Sequence, residues 1–85
     1  MAITFERALE TARELYPHTI NRFEEYKNYY VFEYDNGIEH AGGTQSPIVI
    51  RKSDGEALDY ATIFFNLDVN AEDVGDVLFE GPVEP

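Results

Sequence analysis

Eighty-five residues carrying six Phe, six Tyr, no Trp and no Cys make one domain's length of chain, close to the size at which an apolar core only just offsets chain entropy. The missing cysteines exclude a disulfide framework, a thiolate zinc site and a thiol nucleophile. A formal charge of -11 argues against direct binding to nucleic acid or to anionic lipid, and favours cationic partners. The core is therefore expected to be built from aromatic rings, which bury much apolar area for each residue ordered.

The opening stretch "MAITFERALETAR" alternates charge with apolar residues, whereas a secretory signal needs a continuous apolar run of roughly 7 to 15 residues. No later run approaches the roughly 18 apolar residues of a membrane span. A cytoplasmic protein is expected. Phe5, Ala8, Leu9, Ala12 and Leu15 fall on one face of a helical wheel, with Thr4 placed as N-cap and Pro17 as the stop.

From Thr19 to Asp35 the pattern changes to period two, with "EYKN" as a hairpin turn and Tyr29 to Tyr34 as a strand rich in aromatic and β-branched residues. Side chains alternate across a strand, so Tyr30, Phe32 and Tyr34 share one face and Tyr29, Val31 and Glu33 the other. The first set is assigned to the helix-facing core. Tyr29 and Val31 are then left as an exposed pair that one helix cannot cover.

"DNG" at 35–37 ends this strand, and the polar loop "IEHAGGTQS" leads to Pro47. Ile48, Val49 and Ile50 form a short strand, "KSDG" reverses the chain with Gly55 in a left-handed position, and residues 56–60 return as a second strand. "ATIFFNLD" reads as a bent strand or apolar flap. Asp68 or Asn70 is placed to cap a helical turn over Ala71 to Val74, which Gly75 ends. "DVLFEG" reads as an edge strand, and the tail is expected to fray from about residue 81. The whole is a single domain over 1–85, an α+β fold with one N-terminal helix on an antiparallel sheet of three to five strands.

Chemistry-bearing motifs are weak. Gly42-Gly43 leads into a Pro-started strand, not into the helix N-terminus that a phosphate loop requires. His18 and His40 are the two histidines, and Glu39 beside His40 points to the opposite face if the segment is extended. Residues 68–80 imitate a calcium loop at Asp68, Asn70 and Glu72, but Asp73 and Phe79 occupy the positions that demand Gly and Glu. Ser46 and Ser53 have no nucleophile elbow around them. No catalytic residue, metal site or cofactor is assigned, and the protein is not expected to be an enzyme.

The charge is placed unevenly. All six basic residues lie at or before Lys52, and nine of the seventeen acids follow it. A dedicated acidic docking surface is read from Asp54, Glu56, Asp59, Asp68, Glu72, Asp73 and Asp76, with Tyr29 and Tyr60 as aromatic anchors. The expected partner is a basic protein, either a toxin or a nucleic-acid-binding enzyme, and the expected role is inhibition. The alternative is a structural or self-associating domain whose exposed strand edge pairs in a homodimer.

The helix, the strand "YYVFEYD", the Gly-Gly stretch and the hairpin "PIVIRKSDGEAL" together resemble a group of small proteins from Firmicutes genomes and their mobile elements, over most of residues 5–60. The same order of elements is similar to immunity protein family thirty-five. That resemblance implies binding and neutralising a toxin encoded beside it, and it carries over no catalytic residue.

Overall fold

The computed structural model describes residues 2–17, 19–34, 47–65 and 67–84, with the backbone path alone described for 67–70. The elements in chain order are α1 (Phe5–Leu15), β1 (Arg22–Glu25), β2 (Tyr29–Glu33), β3 (Ile48–Arg51), β4 (Ala57–Asp59), α2 (Tyr60–Phe64), α3 (Leu67–Val74) and β5 (Phe79–Pro82). The strands form one five-stranded sheet in the order β4-β3-β2-β1-β5, antiparallel at every junction. This is the expected α+β fold, an N-terminal helix on an antiparallel sheet, with two further short helices. The Gly42-Gly43 loop, His18, His40, Glu39 and Ser46 lie outside the described residues.

α1 begins where the sequence places it. The Thr4 hydroxyl accepts from the Arg7 N–H at 3.2 Å, satisfying one of the amides that a first helical turn leaves without a partner. Ala8 and Ala12 are fully buried, and their small side chains let the helix backbone approach the sheet closely. Leu15, assigned to the buried stripe, is instead 58 % exposed, and Tyr16 is buried in its place. The helix ends at Leu15, and the extended backbone of Tyr16 (φ -83°, ψ 132°) turns its ring towards the core.

The register puts Phe23 opposite Phe32, and Tyr30 between Glu25 and Ile50. The α1 face of the sheet therefore carries Phe23, Tyr30, Phe32 and Ile50, with Tyr34 at its margin, as the alternation predicts. The Phe5 ring enters this cluster edge-on to Phe23 at 4.9 Å and to Tyr30 at 5.6 Å between centroids, within the range in which aromatic pairs attract beyond their burial.

The opposite face differs from the expectation. Tyr29 and Val31 are not an exposed pair: they are 4 % and 1 % exposed, packed with Val49, Ile63 and Val74. The cover comes from α2 and α3. The segment read as a bent strand or flap turns helical at Tyr60, because the Asp59 carboxylate caps it, accepting from the Thr62 N–H and hydroxyl at 3.2 and 3.1 Å. The result is three layers, helix, sheet and helices, with a separate apolar core on each side of the sheet.

Two glycines make the turns sharp. Gly55, in the β3–β4 hairpin, has φ +75°, and a Cβ there would meet the Ile3 side chain at 3.3 Å, while Gly75 after α3 has φ +68°. Both lie in the left-handed region that other residues enter only at a cost. Beyond residue 81, where the sequence suggests fraying, Pro82 closes β5, Val83 is buried, and its N–H donates to the Asn21 carbonyl at 2.8 Å.

Candidate functional site

The predicted acidic residues fall into separate groups. Asp54 and Glu56 flank the β3–β4 turn and face Arg51, whose guanidinium grips Asp54 at 3.0 and 2.7 Å and Glu56 at 2.8 Å. Asp54 also accepts from the Glu56 N–H at 3.0 Å. The Arg51 hydrogen bonds, and then the Glu56 amide, hold the Asp54 carboxyl down to about 2. These two acids are thus partly neutralised within their own hairpin, and Asp54 shapes the turn.

A depressed folded-state value means that any stabilisation from Asp54 is present above the ordinary carboxylate range near about 3.9, and is lost as pH falls through about 2. A carboxyl-carbon NMR titration should find Asp54 ionised well below the other acids, and Arg51→Ala should return it towards the ordinary range. An unshifted Asp54 would mean that the Arg51 grip does not persist in solution.

The second group surrounds α2 and α3. Asp59 is occupied as the α2 cap. Tyr60 is half-buried, its ring stacked on Phe64 at 4.6 Å, and Phe64 in turn meets Tyr26 edge-on at 5.0 Å. Tyr29, predicted as an exposed anchor, is a core residue whose hydroxyl donates to the Asp73 carboxylate. Burial first, and the negative Asp73 second, push that phenol up to about 12. Asn28 adds two hydrogen bonds of 2.8 Å to Asp73, one to its carbonyl and one to its carboxylate. Asp73 is therefore a latch that fastens α3 to the start of β2.

Asp73→Ala should cost about 1–3 kcal/mol, the range for losing a hydrogen bond to a charged group and leaving a buried hydroxyl unpaired. The expected readout is a lower urea midpoint with an unchanged slope. Glu72→Gln, on the same helix but exposed and without an ion pair among the described residues, should stay within about 0.5 kcal/mol of the parent. Asp76 is exposed in the same way. The Asp68 side chain lies outside the described residues.

The third group was not read from the sequence. Arg22 on β1 is ringed by Glu80 at 2.7 Å, Glu33 at 3.4 Å and Glu24 at 4.0 Å. The Tyr26 hydroxyl donates to Glu24 at 2.9 Å, and burial, reinforced by that carboxylate, holds the Tyr26 phenol well above its usual range. The hairpin turn alone would have placed Arg22 across from Glu33. Glu80 arrives only because β5 pairs with β1. On the other side of the sheet, Lys52 bonds Glu25 at 2.7 Å and sits 4.9 Å from the centre of the Tyr30 ring.

Beside β5 runs an open, mainly apolar groove of about 510 Å³ between α1 and the sheet, lined by Phe5, Leu9, Phe23, Phe79, Pro82 and Val83 together with the carboxylates Glu25 and Glu84. Phe79 is 65 % exposed there. Among the described residues, no set of three or more His, Cys, Asp or Glu side chains is placed to hold a metal ion, and no helix is long and apolar enough to cross a membrane. The arrangement offers carboxylates, phenols and an apolar groove, which are recognition chemistry for cationic and apolar groups. No protein-family model, no curated protein and no solved structure matches the chain.

Proposed function

We propose that this chain is a small acidic binding protein that docks on a basic partner protein and inhibits it, as an immunity protein blocks a toxin or as a DNA mimic occupies a nucleic-acid site. The observation that carries this reading is that three of the six basic residues are paired internally while acids on and just after α3 are left unpaired among the described residues. Arg22, Arg51 and Lys52 each face carboxylates within their own strand neighbourhood, while Glu72 and Asp76 stand exposed on and just after α3 without an ion pair among the described residues. The formal charge of -11 speeds and orients encounter with a basic surface.

In this reading Glu72 and Asp76 lead the docking set, Asp54, Glu56 and Asp59, each already engaged internally, add lesser charge, and Tyr60 supplies a half-exposed ring. Tyr29 and Asp73 support the surface from within. The test is affinity capture from host lysate with the parent protein and a Glu72→Gln, Asp76→Asn variant, at low salt and at about 1 M, where screening shrinks to a few Å. A basic protein retained by the parent at low salt, released at high salt and lost with the variant is the expected result. A concentration-dependent dimer with no captured partner would instead support the self-associating domain.

A further inference from the structure

β5 is an edge strand whose two faces differ in chemistry. Phe79 lies opposite Glu25 and Gly81 opposite Phe23, on the face of α1, but α1 packs over β2 and β3 and leaves this flank of the sheet open as the apolar groove. Glu80 lies opposite Glu24 on the other face, beside Arg22, where three carboxylates surround one guanidinium. The surplus on that side is negative.

The backbone of β5 is also partly unspent. The Val83 N–H donates to the Asn21 carbonyl just before β1, and alternate residues of an antiparallel strand bond to the same neighbour, so Glu80 and Pro82 direct their backbone groups to the open side. Proline has no N–H, which leaves the Glu80 N–H and the carbonyls of both residues to meet a guest strand.

From this we infer that β5 accepts an extended segment of a partner protein by strand addition, and that the segment alternates apolar and basic side chains. The apolar ones enter the groove over Phe23, Phe79 and Val83, and the basic ones reach Glu80 and Glu24. Main-chain hydrogen bonds along such an edge supply affinity, and the two faces supply selectivity. A second copy of this chain is a poor occupant, because it would set Glu80 against Glu80 between two bodies of charge -11. The inference rests on the acidic-binder reading and adds to it where, and by what mode, the partner is held.

The probe is a synthetic nonapeptide alternating leucine and lysine, titrated into isotope-labelled protein, with an all-lysine nonapeptide as control. The alternating peptide should shift the amide signals of Phe23, Phe79, Glu80 and Gly81, and Phe79→Lys, a change at an exposed side chain, should weaken its binding by at least about tenfold. The urea midpoint of that variant verifies that it folds. Equal binding of both peptides, with shifts at Glu72 and Asp76 and none on β5, would overturn strand addition and leave the acidic-binder reading standing. Binding of neither peptide would overturn both. Shifts on β5 that grow with protein concentration in the absence of peptide would assign the edge to a second copy and overturn the inference.

Discussion

Phe32→Ala is expected to lower the unfolding free energy by about 3–5 kcal/mol. Phe32 sits at the middle of the sheet on β2, fully buried, with the Phe5 ring 5.6 Å away and Ile48 and Phe23 as its cross-strand partners. Emptying a buried aromatic site costs about 3–5 kcal/mol, because the transfer energy of the ring is lost and the cavity collapses only in part. At about 0.05–0.15 kcal/mol per residue, a chain of this length holds only about 4–13 kcal/mol in all. The single substitution removes about a quarter of that stability at the least, and all of it at the low end of the range. Near-ultraviolet circular dichroism and urea unfolding would read the loss, with Phe32→Leu retaining a measurable transition. A cost below about 1 kcal/mol would show that the ring does not fill the space between α1 and the sheet.

Val31→Asp should be as damaging, and it bears on the layer that the sequence conceals. Val31 is 1 % exposed beneath α2 and α3, and its cross-strand neighbours are Glu24 and Val49. A carboxylate there would be buried with no cation beside it and with Glu24 across the strand. An unpaired buried charge costs about 3–5 kcal/mol in comparable settings. Were this face open to water, as the alternation alone suggests, the same change would be nearly neutral. Phe65→Asp serves as the comparison: Phe65 is 77 % exposed, and its replacement should move stability by no more than about 0.5 kcal/mol. Similar urea midpoints for the two variants would argue that α2 and α3 do not rest on the sheet in solution.

The contrast between Asp54 and Asp73 shows how little an acid's position in the chain says about its availability. Both belong to the anionic stretch that follows Lys52, and the sequence pattern assigns both to the docking surface. In the fold, one closes a turn with Arg51 and the other bonds Tyr29 and Asn28. Glu72 and Asp76, beside Asp73 in sequence, remain exposed. The composition foretells an acidic surface, but the allocation of each carboxylate depends on which cation or hydroxyl the fold brings within about 3 Å.

By itself, the sequence determined whatever depends on neighbours a few residues apart. The Thr4 cap, the Ala8 and Ala12 face of α1, the β1–β2 hairpin, the left-handed Gly55 and the shared face of Tyr30 and Phe32 all follow from helix and strand periods and from local backbone sterics. The start of α2 was also written locally, in Asp59 and Thr62, but a strand-like composition masked it. Only the tertiary structure decided the second layer of helices, the burial of Tyr29 and Val31, and the docking of β5 against β1, which sets Glu80 beside Arg22 across 58 positions of chain. The physical reason is that these depend on which apolar face finds cover. Distant pairings succeed or fail as a whole, through water excluded from Val31, Val49, Ile63 and Val74 together, and no local window of the chain contains that information.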